Sequence, residues 1–276
     1  MFGQTPFKQI CKEVGALGYT GLEVAPFTLA EDPASLSEER RTELRQAMKD
    51  EGLCFVGLHW LLMTPSGLHM TTRDETIRTQ TWEYLHKLID LCADLAVCKG
   101  EYNAVMVIGS PKQRSAVDGM TPREAVNIFT HELAHTAPHA ESRGVKLLVE
   151  PLSPDQTNVI TSLQDAVSIV KQIGSPAVQT MFDTHNAVGE KDPHSELIRR
   201  YSSYIQHVHV NEVDGREPGT GHYDFGSLMS ALAAAKYSGW ISLEVFDFKR
   251  GGRQIAEDAL NYLKKAAPEM ALTQTV

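Results

Sequence analysis

Basic residues are the minority in this chain: 26 lysines and arginines face 35 aspartates and glutamates, giving a formal net charge of −9 over 276 residues. A nucleic-acid partner is not expected from that balance, because phosphate binding leans on Lys and Arg. Cysteine is scarce. Cys11, Cys54, Cys92 and Cys98 form no CxxC pair, and each sits in an apolar or helical context. Reduced, mostly buried thiols in a reducing compartment are therefore expected. No apolar run reaches the roughly 18 residues of a membrane helix, and the opening MFGQTPFKQICKE has no hydrophobic signal region. A cytoplasmic protein without a membrane partner is expected. Glycine-rich nucleotide fingerprints are missing after every apolar run; Gly15 and Gly18 sit near a helix end instead. Linkers, charge blocks and low-complexity segments are absent too, so residues 1–276 are expected to form one domain. At 42% hydrophobic and 22% charged residues, the core can be large, with no need of a disulfide or structural metal.

What is present is an alternation. Strand-like apolar runs recur at TGLEVA (20–25), LCFVGLHW (53–60), NAVMVIG (103–109), VKLLVE (145–150), AVQTMFD (177–183), YIQHVHV (204–210) and WISLEVF (240–246). They are too evenly apolar for one-sided antiparallel strands and read as parallel strands covered on both faces. Helical segments are expected over 37–51, 73–98, 121–143, 161–173, 224–236 and 252–266, several with start and stop signals. Thr121-Pro122 opens one and Gly144 closes it. An open doubly wound sheet or a closed (β/α)8 TIM barrel could be built from such units. The barrel is favoured because functional-looking residues stand at the C-terminal tips of four successive strands, where barrel sites lie. One strand is short or missing: the chain enters a helix almost directly at Thr5-Pro6. Residues 1–4 are either the stub of that strand or the chain begins beyond it. The tail from about Pro268 is expected to fray.

Those tip residues are Glu150, Asp183, His209 and Glu244, separated by 33, 26 and 35 residues, close to one βα unit each. Equivalent strand tips of a barrel face one mouth. A single acid at a strand end is often only a helix cap or ion-pair partner. Three carboxylates in one apolar mouth would repel one another and suffer desolvation, and one divalent cation resolves both problems. Oxygen-rich ligation with one imidazole suits Mn²⁺, Mg²⁺ or Co²⁺ better than a structural zinc.

The segments VEPL around Glu150, FDTHN around Asp183, HVHVNE around His209, SLEVF around Glu244 and the later REPGTG (216–221) resemble the xylose-isomerase-like barrel superfamily. The similarity is to its sugar isomerases and ketose 3-epimerases, such as the tagatose and psicose 3-epimerases, and runs from Thr20 to Ala267. The resemblance implies a divalent-metal-dependent isomerase or epimerase of a ketose or keto-sugar, working by proton transfer through an enediolate. Glu150 and Glu244 would be both ligands and the catalytic acid–base pair; Asp183 and His209 would be plain ligands. His185 and Arg216 would bind substrate hydroxyls, and the partner would be a small sugar, with the enzyme a dimer or tetramer. His59 and Trp60, at the end of their strand, could supply a polar contact and an apolar wall, or merely pack. Glu23 also stands at a strand end, where a structural role is as reasonable. The family's Glu six residues after the first ligand is here Gln156, which bonds substrate without carrying charge. That departure leaves room for a lyase of the dehydratase type or a keto-glycoside-cleaving enzyme on the same metal site.

Three rivals are weaker. His131-Glu132-Leu133-Ala134-His135 matches the zinc-protease motif HExxH, but its helix should lie outside the barrel. An endonuclease IV-like enzyme would need several zinc ions and a basic face. A non-catalytic binding barrel would hold no metal. Lys99, Lys112 and Arg114 could meet a phosphate or be a solvated loop.

Overall fold

The computed structural model describes residues 1–3, 5–98 and 104–267. Seven parallel strands lie side by side in chain order: β1 Gly21–Val24, β2 Cys54–Leu58, β3 Ala104–Ile108, β4 Val145–Val149, β5 Val178–Asp183, β6 Ile205–Val210 and β7 Trp240–Leu243. Helices connect them: α1 Phe7–Leu17, α2 Glu38–Asp50, α3 Glu75–Leu95, α4 Pro111–Arg114, α5 Pro122–Arg143, α6 Leu163–Ile173, α7 His194–Tyr201, α8 Phe225–Ala234 and α9 Gly252–Ala266. This is the expected TIM barrel, and among the described residues no strand precedes α1. Residues 1–3 form no strand, and β1 and β7 do not pair with each other. Gln4, Lys99, the start of the run at Asn103 and the tail from Pro268 lie outside the described residues.

Local signals set the helix ends. Thr121 Oγ1 accepts from Glu124 N while the Glu124 carboxylate accepts from Thr121 N, a reciprocal cap with Pro122 at the first turn. Gly144 ends that helix at φ 67°, a left-handed turn that suits a residue without Cβ. Helix α7 lies outside the helical segments expected from the sequence. Its eight residues bury only Leu197 and Ile198, too few to show a helical period.

Strand alternation decides what faces the barrel axis. Leu147 and Val149 join the large core against the helices, whereas Leu148 packs with Val107 and Met181 in a separate cluster. Val208 and Val210 likewise join a helix-side core, which turns His207 and His209 inward. Two residues beyond Leu148 and Met181, on the same inward face, stand Glu150 and Asp183. Ser242 faces inward as well, hydrogen-bonded to His207, and Glu244 follows two positions later.

The cysteine expectation needs correction. Cys11 and Cys92 are buried free thiols, but Cys54 and Cys98 form a disulfide with their Cα atoms 5.5 Å apart. Cys54 opens β2 and Cys98 follows α3, so adjacent units bring both to the N-terminal end of the barrel. A separation of 44 residues hides that proximity in the sequence.

Candidate metal centre

Glu150, Asp183, His209 and Glu244 come together at the C-terminal mouth, each offering a ligand atom within 4.8 Å of the others. All four are buried. Nδ1 of His209 lies 3.0 Å from Oε2 of Glu244 and 3.5 Å from Oδ2 of Asp183. Asp183 Oδ1 accepts from the backbone of Asn186, but Oδ2 is buried with no hydrogen-bond partner. A buried carboxylate oxygen that accepts no hydrogen bond is costly and rare. A cation would satisfy it, and the set of three carboxylates and an imidazole fits a hard divalent ion.

A second layer holds the first in place. Nε2 of His209 lies 3.1 Å from Oε2 of Glu23, which also meets Nε2 of His207 at 3.0 Å. With Nε2 donating to Glu23, Nδ1 of His209 is left free to ligate, the carboxylate–histidine–metal arrangement. Glu23, His207 and His209 could also hold an ion by distance alone. That trio is joined by short hydrogen bonds on Glu23, whereas Oδ2 of Asp183 has only the 3.5 Å ion-pair approach of His209 Nδ1.

The mouth is closed on the β7 side by His59 and Trp60. Nδ1 of His59 lies 3.1 Å from Oε1 of Glu244, and Nε1 of Trp60 donates to the same oxygen at 2.8 Å. Trp60 sits at φ 52°, a strained conformation for a bulky residue and one that gathers at functional sites. Its ring stacks between Phe27 and Phe246. On the β4 side, Asn186 Nδ2 donates to Oε1 of Glu150 at 3.0 Å, and Gln156 donates to Oδ1 of Asn186 at 2.6 Å.

The electrostatics of the site are those of crowded acids. Burial pushes Glu150 well above the usual carboxylate range, and Glu244 and Asp183 add to it. Burial raises Asp183 as well. Burial opposes ionisation of Glu244 too, but His209, and then the bond from His59, hold it well below. His209 is depressed by burial, yet Glu23 and then Glu244 carry it well above the ordinary histidine value. Protons on Glu150 and His209 thus offset the crowded charge, and a cation would bind as they leave.

The family model of the xylose isomerase-like TIM barrel matches residues 11–266. The chain belongs to that family. Within its reach, the chain is 24% identical over 224 residues to a probable ketose 3-epimerase of Synechocystis, covering 79% of this chain and 74% of that protein. It is 23% identical over 278 residues to the fructoselysine 3-epimerase of Escherichia coli O157:H7, covering 96% and 94%. The fold is shared with the crystal structure of D-psicose 3-epimerase with D-tagatose from Clostridium cellulolyticum H10, at a TM-score of 0.83, 21% identity and 96% coverage of each chain.

The remaining residues singled out in the sequence fall at different distances from the centre. His59 touches Glu244 directly, and Gln156 reaches Glu150 only through Asn186. His185 turns Nδ1 to the carbonyl of Val213 at 2.7 Å and packs on Phe246. Arg216 pairs with Asp214 at 2.8 Å and donates to Thr220 O, touching none of the four. Within its loop, Glu212 accepts from Gly219 N and Tyr223 N, and Glu217 pairs with Arg250. Lys112 is exposed, whereas Arg114 is wholly buried and so presents nothing to a solvent phosphate. Among the described residues the HExxH pair gathers no ligand set: Nδ1 of His135 meets His131 O, and Glu132 pairs with Arg78. Glu23, His207 and Asn186 are the residues whose part the sequence did not assign. The inward alternation of His207 and His209 was the available signal.

Proposed function

We propose that this chain is a divalent-metal-dependent isomerase or epimerase acting on a ketose or keto-sugar. The observation that carries it is the convergence of four ligand-type side chains around a buried Asp183 oxygen that accepts no hydrogen bond. The 3-epimerase relatives support the same chemistry. Glu150, Asp183, His209 and Glu244 would hold the ion, Mn²⁺ first, with Mg²⁺ or Co²⁺ as alternatives. When bound, it would polarise the substrate carbonyl and so acidify the neighbouring C–H.

The chain's own groups then move the proton. One carboxylate of the Glu150–Glu244 pair takes the proton from carbon, and the C–H electrons shift toward the carbonyl oxygen. The other carboxylate returns a proton to the opposite face, which inverts that carbon. Return to the adjacent carbon would instead give aldose–ketose isomerisation. His59 and Trp60 fix the Glu244 carboxylate from one side, and Asn186, backed by Gln156, fixes Glu150. His185, on the loop beside the centre, and Arg216 would orient substrate hydroxyls. Trp60 and Phe246 wall the mouth against water.

A neutral Gln156 supports a second reading, a lyase or keto-glycoside-cleaving enzyme on the same ion. The expected homo-oligomer and cytoplasmic location belong to the first reading, whereas the Cys54–Cys98 bond speaks for an oxidising compartment. The test is solvent-deuterium uptake across ketoses, ketose phosphates and 3-keto glycosides, with Mn²⁺ and with EDTA. Uptake at one carbon of one substrate class, lost with EDTA, is expected. Elimination or cleavage of a keto-glycoside would move the assignment to the second reading, and no uptake at any carbon would defeat the proton-transfer chemistry.

A further inference from the structure

Two residues next to Glu150 have no assigned part, Arg114 and Gly109. Arg114 is 0% exposed. One of its nitrogens, Nη1, donates both to Ile108 O at 2.9 Å and to Glu150 O at 2.8 Å. It thereby ties the tip of β3 to the tip of β4. Nε and Nη2 are buried without a hydrogen-bond partner, and among the described residues no carboxylate forms a salt bridge with the guanidinium. Burial lowers its pKa to about 10, so it stays charged at neutral pH. A buried, half-satisfied cation is poor evidence of stabilisation, since an apolar side chain of similar volume often does as well. Its position is more telling: it grips the main chain of the residue whose side chain enters the ion site.

Gly109 follows Ile108 on that tip. A Cβ built there would collide with Oε2 of Glu150 and come within 3.3 Å of its Cδ, while the next atom, on Leu152, is 3.9 Å away. No backbone atom stands in the way, and the φ of Gly109 lies outside the left-handed region. The glycine answers no turn requirement. It vacates the volume that the Glu150 carboxylate fills.

We infer that Arg114 and Gly109 form a cradle that positions Glu150, Arg114 by fixing its main chain and Gly109 by making room for its carboxylate. Both are positioning residues, and the inference rests on the metal-site reading above. Packing alone would require neither the shared Nη1 donor nor a missing Cβ facing only a carboxylate.

The test measures Mn²⁺ affinity by calorimetry beside steady-state rates on the substrate found by the exchange screen. Gly109→Ala should fold with an unchanged Tm, because only a side-chain tip must move. Its Mn²⁺ Kd should rise about 10-fold, within the range for groups that orient ligands. Its kcat should fall about 10²-fold, as for a displacement near 1 Å, with KM moving far less. Arg114→Met should show the same split, and Arg114→Lys, which keeps a charged donor, should recover most of the loss. If Arg114→Met does not fold, Gly109→Ala carries the decision. Wild-type Kd and kcat in folded Gly109→Ala would overturn the cradle alone. A wild-type chain that binds no Mn²⁺ would overturn the metal reading and the cradle together.

Discussion

Glu244→Gln is expected to fold as the wild type and to lose about 10³-fold of solvent exchange at the substrate carbon, in the middle of the range for general acid–base groups. The fold should survive because the replacement can keep the local bonds. Oε1 accepts from Trp60 at 2.8 Å and lies 3.1 Å from His59 Nδ1, and the amide oxygen can take that place. The amide nitrogen would then face Nδ1 of His209, which can accept because Nε2 meets Glu23. What disappears is the negative charge, and with it the proton acceptor and one anionic ligand. Circular dichroism and thermal melting check the fold, and deuterium incorporation followed by NMR checks the rate. Exchange within a few-fold of wild type in a folded variant would remove Glu244 from the proton path.

The second large effect concerns stability at the other end of the barrel. Breaking the Cys54–Cys98 bond is expected to cost about 2–4 kcal/mol, as the loss of a long-loop cross-link does. The bond spans 44 residues of separation, so its main action is to restrict the unfolded chain. It also pins the start of β2, the strand that carries His59 and Trp60 at its far end. Urea unfolding of the oxidised protein and of a Cys54→Ala/Cys98→Ala variant would measure this as a lower midpoint. Mn²⁺ affinity should hardly change, because the bond lies a full strand length from the four ligands. Coincident unfolding curves would show that the cross-link adds nothing.

The site was legible in the sequence where strand periodicity and chemistry coincide. Glu150 follows Leu148 by two residues, Asp183 follows Met181 and Glu244 follows Ser242, so each acid inherits the inward direction of its strand. What could not be read depends on chain segments meeting in space. Glu23 stands near the end of β1, but its partners His207 and His209 lie 184 and 186 residues away. Arg114, in a loop-like GSPKQRS, read as a solvent-facing cation; only the fold shows that it turns under the β3 and β4 tips. The cysteine pair failed for the same reason. Helix α7 is not legible because two turns give too little period to detect, and β2 and β7 stop short of their apolar runs because the last residues, His59 and Trp60 or Glu244, serve the mouth.

Crystals grown with MnCl2 and measured at the manganese absorption edge would test the centre directly. One anomalous peak is expected, bonded to Glu150, Asp183 Oδ2, His209 Nδ1 and Glu244, with Glu23 still on Nε2 of His209. A peak held instead by Glu23 and His207, or four side chains turned into separate surroundings with no ion between them, would contradict it.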